Sequence, residues 1–245
     1  MNLEKRLIYR DGLILILDKP AGVAVHVGPG GGSNLEAHFD SLRFGLPKPP
    51  ALAHRLDRDT SGCLVLGRHR KALSRMGRLF DQRKVEKRYW AVVQGIPDPL
   101  QGKLAYPLHK ISNKKSGWRM VVDAAQGKPS LTQFRTLGRG ELNGQPIAWV
   151  ECRPKTGRTH QLRVHLAELG TPILGDPLYG EPGARSEHNL MLHARSIRIP
   201  LYASKPDVEV AAEPPAPMQA MLSLCGYNPD DWPSTPVVEP RPAKA

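Results

Sequence analysis

The order of apolar and polar residues predicts short strands and one basic helix in the first part of the chain. Residues 13–17 form an apolar run that ends at the turn-forming residues 18–22, which predicts a buried strand followed by a turn. Residues 63–66 are apolar and residues 88–93 are aromatic and β-branched, so both ranges are predicted to be strands. Between them, apolar residues recur at spacings of three and four over residues 72–80, which predicts an amphipathic, basic helix.

The second part of the chain predicts further strands and a better-defined helix. This helix is expected to begin at Thr159 as its N-cap, to carry Leu162, Leu166 and Leu169 as its apolar stripe, and to end at Gly170. Because Gly, Pro and Lys turns separate the strand patterns, much of the sheet is predicted to be antiparallel. The remaining predicted strands cover residues 118–122, 131–137, 147–152 and 196–199, and a short helix is predicted over residues 218–225.

The composition changes near residue 205 and predicts two parts of unequal size. A chain of 245 residues can bury one large core or two small ones. Proline is frequent beyond residue 205, and residues 233–245 have a composition typical of disorder. We therefore expect one folded domain over residues 1–205 and a Pro-rich C-terminal extension, partly disordered, over residues 206–245. The Gly-rich residues 28–33 predict a loop, and they lack the spacing of a nucleotide-binding motif.

The charge of the chain favours an anionic partner. The sequence has 35 Lys and Arg residues against 23 Asp and Glu residues, a formal net charge of +12. Such an excess suits nucleic acid, although a solvated basic face stays open as the alternative for the cations of the first helix. No apolar run approaches the length that spans a bilayer, and the first residues are charged where a signal peptide is apolar. We expect no membrane contact.

The cysteines indicate a reducing compartment. Cys63, Cys152 and Cys225 are odd in number and widely spaced, and the chain has no C-x-x-C pair. This pattern argues against a disulfide framework and against a structural zinc site. A cytoplasmic location is therefore the expectation. His160 and His165 are five residues apart, so they do not share a helix face as metal ligands.

Two carboxylates stand out within a basic segment. Asp57 and Asp59 are two residues apart, so on a strand they would share a face and form a glycosidase-type acid/base pair. Glycosidases usually place these groups on separate elements, which makes this the weaker reading. An aspartic protease motif is excluded because Ser61 intervenes between Thr60 and Gly62.

The start of the second predicted helix favours anion binding. Residues 155–163 combine cations with the free backbone N–H groups and the positive dipole end of a helix. The anion is either a phosphate or a carboxylate from elsewhere in the chain, and Asp57 is a candidate for the latter. Pairing of the arginines with surface acids is the alternative.

Spaced motifs over about residues 8–200 resemble the RluA-type RNA pseudouridine synthases. Residues 54–62, HRLDRDTSG, resemble the family motif H-R-L-D-x-x-T-S-G, and residues 157–165, GRTHQLRVH, match G-R-T-H-Q-[IL]-R-V-H. Only about seven residues precede the family-like region that starts near residue 8, so no N-terminal S4-type RNA-binding domain is expected. Three shorter segments also resemble the family, namely 17–22 (LDKPAG, with K-P-x-G), 87–89 (KRY, with K-x-Y) and 175–180 (GDPLYG, with G-D-x-x-Y-G).

The resemblance implies an α+β fold: a long mixed, mostly antiparallel sheet with flanking helices and a central catalytic cleft in the 1–205 domain. It also implies that specific uridines of tRNA or rRNA are isomerised to pseudouridine. The family's nucleophile falls on Asp57, its base-contacting tyrosine on Tyr89, and the arginine that pairs with the aspartate on Arg163. Further substrate contacts are expected from Arg55, Arg58, Thr60, Arg158, His160, Gln161 and Leu192.

The implied reaction needs neither a cofactor nor a metal, because it is redox-neutral and moves one uracil between two bonds to the same sugar. Attack by Asp57 at C1′, attack at C6 and a glycal route all stay open. The target base must leave its stack, and Arg55 is expected to fill the vacated space. The expected partner is structured RNA, with the protein acting as a monomer. Candidate phosphate contacts are the basic helix and Lys110, Lys114, Lys115 and Arg119.

Two other functions stay open. An RNA-binding or RNA-chaperone module would keep the fold without needing its chemistry, and it predicts no isomerisation by the wild-type protein. A glycoside-acting enzyme would use Asp57 and Asp59 together, and it predicts equal damage from Asp57→Asn and Asp59→Asn.

Overall fold

Two units, each built around antiparallel strands, make up the described part of the chain. The computed structural model describes residues 1–27, 31–113, 117–180 and 188–235. Unit 1 comprises residues 1–86 and 194–214 together with the chain from 232, and unit 2 comprises residues 87–193 and 215–231. Among the described residues, no helix is long and apolar enough to cross a membrane.

Twelve strands and three α-helices are assigned within these described ranges, together with short 3₁₀ helices at Glu4–Arg6, Glu36–Leu42 and Pro229–Asp231. The strands are β1 (Leu7–Arg10), β2 (Ile14–Lys19), β3 (Ala51–Leu52), β4 (Ser61–Gly67), β5 (Glu86–Gln94), β6 (Gln101–Leu104), β7 (Leu108–Asn113), β8 (Gly117–Val122), β9 (Thr132–Leu142), β10 (Gln145–Pro154), β11 (Leu192–Ile199) and β12 (Val208–Ala211). The helices are α1 (Arg70–Asp81), α2 (Gln161–Glu168) and α3 (Ala216–Leu224).

Unit 1 is ordered β1-β2-β4-β11, with β3 paired to β4 and β12 paired to β11. Strand β4 is buried along its whole length and β2 along most of it. Strands covered on both faces read as continuous apolar runs, which is why residues 13–17 and 63–66 show no alternation. One core cluster joins Ile16 of β2, Val65 of β4 and Ile197 of β11 to Met76 of α1.

Unit 2 is ordered β5-β10-β9-β6, and β7 with β8 forms a separate hairpin. Helix α3 lies against β9 at two glycines. A Cβ atom on Gly138 would lie 1.9 Å from the carbonyl oxygen of Cys225, and one on Gly140 would lie 2.0 Å from that of Leu224. Beside this contact, Trp90 and Trp149 pack edge to face at 4.8 Å. The glycines therefore allow the backbones of helix and strand to approach closely.

The fold class is α+β with a mostly antiparallel sheet, as predicted. The described registers β1–β2, β2–β4, β5–β10, β10–β9 and β9–β6 are antiparallel. The predicted helices lie at α1, α2 and α3, but Thr159 as the N-cap of α2 is wrong. His160 occupies that position with φ 51° and ψ 19°, and Gly170, at φ +83°, follows the end of the helix. The central cleft stays a prediction.

The part beyond residue 205 contains a strand and a helix, and the boundary at 205 stays a prediction. Strand β12 pairs with β11, so it continues the strands of unit 1. The buried guanidinium of Arg195 donates to the carbonyl oxygens of Ala212, Trp232 and Pro233 and to the hydroxyl of Ser234. Arg195 thereby anchors the chain as far as Ser234, and the predicted disorder over 233–245 falls mostly on residues 236–245, outside the described residues.

Candidate active site

Asp57 lies in a turn between β3 and β4. It is half-buried, and its backbone carbonyl accepts a hydrogen bond from the N–H of Thr60 at 3.2 Å. Arg58 and Asp59 occupy the turn, with Arg58 Nε 3.8 Å from an Asp59 carboxylate oxygen. Arg58 Nε also donates to the carbonyl oxygen of Gly22 at 3.2 Å. Because this segment is a turn, Asp57 and Asp59 do not share a strand face, as a paired acid/base site on a strand would require.

Lys19 holds this turn from beneath. Its side chain is 1% exposed, and its Nζ donates to the carbonyl oxygens of Pro20, Arg58 and Thr60, each at 2.8 Å. Three hydrogen bonds use the full donor capacity of an ammonium group. Burial lowers the pKa of Lys19 to about 8, and the negative charge of Asp59, foremost among nearby carboxylates, opposes that shift. Lys19 is therefore a positioning residue for the Asp57 turn.

The activity of the protein on RNA is expected to fall as the pH rises through about 8. Lys19 keeps all three donors while protonated and loses one when it deprotonates. The pKa of Lys19 is lower in the folded chain than its ordinary value of 10.5, so this residue makes the folded state more stable as the pH rises from about 8 to 10.5. The expected decline in activity is therefore not caused by unfolding. The measurement is kcat/KM for pseudouridine formation between pH 6 and 10.

The matched variants for this pH profile are Asp59→Asn and Asp40→Asn. Since the charge of Asp59 raises the pKa of Lys19, Asp59→Asn should move the falling limb to lower pH. Asp40 is exposed and pairs with Arg43, so Asp40→Asn should leave the limb in place. Identical profiles for the two variants would contradict the assignment to Lys19.

Gly62 allows β4 to approach β11 directly after the Asp57 turn. Its φ is +103°, and a Cβ atom there would lie 2.3 Å from the backbone carbonyl oxygen of Ala194. Gly62→Ala should therefore lower the free energy of unfolding by about 2–4 kcal/mol, through backbone strain and a clash with an atom that cannot rotate away. Gly22→Ala is the control: its φ is +81° with nothing within 4 Å, and it should cost only about 1 kcal/mol. Urea denaturation measures both, and equal losses would refute the clash.

Tyr89 lies on β5, in unit 2. It is half-buried and pairs across the strands with Cys152 of β10, whereas its neighbour Trp90 is fully buried and pairs with Glu151. Adjacent strand residues point to opposite faces, so Tyr89 and Trp90 face different sides of this sheet. Its predicted contact with the uracil stays a prediction.

Gln161 at the start of α2 connects this helix to the loop before β9. Its Nε2 donates to the carbonyl oxygen of Leu131 at 3.1 Å and to the hydroxyl of Thr132 at 3.0 Å. Its Oε1 accepts from the hydroxyl of Thr156 at 2.7 Å and from the N–H of Arg158 at 3.0 Å. The side chain is 4% exposed, so these contacts give Gln161 an internal role that the sequence did not predict.

His160 belongs to an aromatic group beside the β7–β8 hairpin. Its ring stacks on Trp118 at 5.0 Å between centroids, and its Nδ1 lies 2.9 Å from the hydroxyl oxygen of Tyr179. The same hydroxyl accepts from the N–H of Met120 at 3.0 Å. Lys110 Nζ lies 4.7 Å from the Trp118 ring centroid on the other strand of the hairpin. These contacts tie the hairpin to the start of α2.

The remaining predicted RNA contacts differ in exposure. Arg55 is exposed in the loop before Asp57, and Arg158 is exposed, with its Nε donating to the carbonyl oxygen of Pro129 at 3.2 Å. Leu192 is buried at the beginning of β11. Arg119 is exposed on β8. Lys114 and Lys115 lie outside the described residues.

Arg163 is buried on α2 and bound to a carboxylate that the sequence did not indicate. Its Nε donates to one oxygen of Asp176 at 2.7 Å and its Nη2 to the other at 2.6 Å. One oxygen of Asp176 also accepts from the N–H groups of Leu178 and Tyr179. The guanidinium lies 5.0 Å from the Tyr179 ring centroid. Asp176 and Tyr179 belong to the segment 175–180, GDPLYG, for which the sequence predicts no role.

The three predicted catalytic residues are divided between the units. Asp57 belongs to unit 1, together with Arg55, Arg58 and Thr60, and Tyr89 and Arg163 belong to unit 2. The pairing of Arg163 with Asp57 stays a prediction. Across the described residues, no group of three or more His, Cys, Asp or Glu side chains is placed to hold a metal ion.

Comparison with known proteins identifies the family. A family model described as RNA pseudouridylate synthase matches residues 13–168. An uncharacterised RNA pseudouridine synthase of Zymomonas mobilis is 44% identical over 216 residues, covering 88% of this chain and 95% of the relative. The ribosomal large subunit pseudouridine synthase C of Buchnera aphidicola is 36% identical over 205 residues, covering 81% of this chain and 63% of the relative.

A solved structure supports the same family assignment. Human RNA pseudouridylate synthase domain containing 4 superposes with a TM-score of 0.74 at 26% identity, covering 90% of this chain and 93% of that one. The family match spans the Asp57 turn, Tyr89 and the start of α2, and the sequence motifs had predicted the same family. This chain belongs to the RNA pseudouridylate synthase family and is an isomerase that converts uridine in RNA to pseudouridine.

Proposed function

We propose that Asp57 is the nucleophile of this isomerisation. The observation that carries the proposal is the turn at Asp57. In this turn the carbonyl oxygens of Arg58 and Thr60 accept hydrogen bonds from the buried ammonium group of Lys19. Such a turn holds the backbone at Asp57, and the residue itself is only half-buried. Each of the three open routes uses the side-chain carboxylate of Asp57.

The reaction balances within the substrate and the side chains of the chain. The N1–C1′ bond of uridine breaks and a C5–C1′ bond forms with the same uracil. The C5 proton passes to a base, and N1, which carries no proton in uridine, gains one. Tyr89 offers an aromatic face to the uracil and a hydroxyl oxygen that can take up the C5 proton. Since no electron is gained or lost overall, the proposed mechanism uses neither cofactor nor metal.

Arg163 is proposed to orient the Asp57 carboxylate. Its bidentate contact with Asp176 fixes the plane of the guanidinium, and a fixed cation stabilises a nearby carboxylate more than a mobile one. This role comes from the position of Arg163 in the family motif.

The proposed substrate is structured RNA, either tRNA or rRNA. The formal net charge of +12 favours a polyanion, and the relative from Buchnera aphidicola carries a ribosomal large subunit name. The target uridine must leave its stack, at a cost of a few kcal/mol, and the exposed Arg55 is proposed to occupy the space it leaves. Lys110 and Arg119 on the hairpin, with Arg158, are proposed phosphate contacts. We infer a monomer without an obligate protein partner, and a reducing cytoplasm because all three cysteines are free and buried.

Tritium release tests the proposal. RNA labelled with 5-tritiated uridine, taken from cells that lack this protein, is incubated with the purified wild-type chain. Release of tritium, with pseudouridines mapped in the same RNA, is the expected result and names the substrate. Absence of release from both the tRNA and the rRNA fractions would refute these substrates and favour the RNA-binding module without chemistry.

A further inference from the structure

A cavity of about 360 Å³ lies on the sheet of unit 2 and contains a buried acid between two arginines. Its charged lining residues come from three neighbouring strands, β6, β9 and β10. Glu151 is 1% exposed, whereas the side chains of Arg135 and Arg153 are 46% and 41% exposed. The charged lining is Lys103, Arg135, Glu151 and Arg153, and the other lining residues are Gln101, Gly102, Gln133 and Phe134.

Glu151 holds the two arginines side by side through one oxygen. Its Oε1 accepts from Arg135 Nε at 3.1 Å and from Arg153 Nε at 2.8 Å, with Arg153 Nη2 at 2.7 Å. Arg135 therefore bonds Glu151 through Nε, and the described contacts include no protein partner for its two Nη groups. One carboxylate faces three cations in the lining, so the cavity keeps an excess positive charge of about two.

Strand register places these side chains in two rows on one face. In the first row, Glu151 lies opposite Arg135, and Arg135 lies opposite Gln101. In the second row, two residues along, Arg153 lies opposite Gln133, and Gln133 lies opposite Lys103. Residues two apart on a strand share a face, so donors from both rows point into one cavity.

The cavity is on the opposite face of this sheet from Tyr89. Glu151 pairs with Trp90, and the next residue of β10, Cys152, pairs with Tyr89. Since alternate residues point to opposite faces, Glu151 shares its face with Trp90, against which Tyr227 packs at 5.7 Å between ring centroids. The arginine pair is therefore separate from the side of the sheet that carries Tyr89.

We propose that this cavity binds a phosphate group. Guanidinium groups match the oxygens of a phosphate, and two of them fixed by a buried carboxylate need little reordering when the anion arrives. The phosphate comes from the backbone of the RNA substrate, at a nucleotide remote from the reacting uridine, or from a free phosphate compound. The first source rests on the proposed function; the second is independent of it.

The experiment compares three single variants with the wild-type chain. Arg135→Gln and Arg153→Gln each remove one guanidinium while leaving Glu151 paired with the other, and Arg139→Gln removes an exposed charge from the same strand outside the cavity. Affinity for transcribed large-subunit ribosomal RNA is measured between 50 and 200 mM salt. Inorganic phosphate is titrated separately while the Nε–Hε signals of the arginines are followed by NMR.

Both cavity variants are expected to bind the RNA several-fold more weakly, with the slope of log affinity against log salt smaller by about one. The RNA affinity and salt slope of Arg139→Gln should be closer to those of the wild type than to those of the cavity variants. Inorganic phosphate should shift the Nε–Hε signals of Arg135 and Arg153. Phosphate shifts with unchanged RNA slopes would assign the site to free phosphate. No phosphate shifts, with cavity variants equal to Arg139→Gln, would overturn the proposal. Tritium release by the wild type, measured on the same RNA, reports on the proposed function separately.

Discussion

Asp57→Asn is expected to lower kcat/KM for pseudouridine formation by about 10⁴-fold or more, because the amide is not a nucleophile at this position. The variant should keep its fold. The turn hydrogen bond at this residue is accepted by the backbone carbonyl of Asp57, and the bonds of Lys19 go to the carbonyls of Pro20, Arg58 and Thr60. Single-turnover tritium release measures the loss, and RNA affinity and thermal unfolding should stay close to the wild type.

Asp59→Asn is the matched control for Asp57→Asn. It removes the same charge from the same turn, but in the synthase mechanism it acts through the pKa of Lys19 and the contact of Asp59 with Arg58, and not on the nucleophile. A mild loss near pH 7, together with a falling limb at lower pH, is expected. An equal loss of kcat/KM in the two variants would contradict a single nucleophile and would favour the hypothesis that Asp57 and Asp59 act as a pair.

The elements with a clear apolar pattern, either periodic or continuous, could be predicted from sequence, and several short strands could not. Helix α1 has apolar residues on a clear 3.6-residue period, and β4 is buried along its whole length, so both stand out as patterns. Strands β1 and β6 have only four residues each and lie at the ends of their strand orders, where burial is partial. Too few positions carry the alternation for such strands to be recognised.

The site residues divide in a similar way: local motifs indicate which residues matter, whereas contacts between residues distant in the sequence do not show in a motif. The motif positions indicated Asp57, Tyr89 and Arg163, but a motif does not state which atoms meet. Lys19 bonds carbonyls at residues 58 and 60, about forty positions away, and Asp176 meets Arg163 from a separate loop. The arginine pair around Glu151 depends on strand register, which is decided by pairing across β9 and β10. These contacts become visible only in the folded chain.

The Asp57 turn shows why several motif positions belong together physically. Gly62 lets the strand after the turn approach Ala194, and Lys19 binds the turn from the end of β2. Neither residue can take part in the chemistry directly. Gly62 has no side chain, and the side chain of Lys19 is buried with its three donors occupied. Their shared effect is to fix the backbone at Asp57. Loss of either should therefore reduce kcat more than RNA affinity.

Asp176→Asn is expected to cost about 3–5 kcal/mol of unfolding free energy. The pair Arg163–Asp176 is buried, with side chains 5% and 0% exposed, and it is bonded through two guanidinium nitrogens. Removing the charge of Asp176 leaves the guanidinium of Arg163 buried without a compensating negative charge. The free energy lost in this way is larger than the net stabilisation that the ion pair provides. The asparagine has nearly the same shape, so the loss reports charge and not packing. Urea denaturation measures it.

Asp207→Asn serves as the control for charge loss in an ion pair. Its partner Arg198 lies 2.8 Å away, but the two side chains are 48% and 31% exposed for Arg198 and Asp207, so the loss should stay below about 1 kcal/mol. Arg163→Met combined with Asp176→Asn should recover part of the stability lost by Asp176→Asn alone, because the buried charge is then gone. Equal losses in Asp176→Asn and Asp207→Asn would show that Arg163 does not depend on Asp176. The proposed orientation of Arg163 toward Asp57 would then lose its physical support.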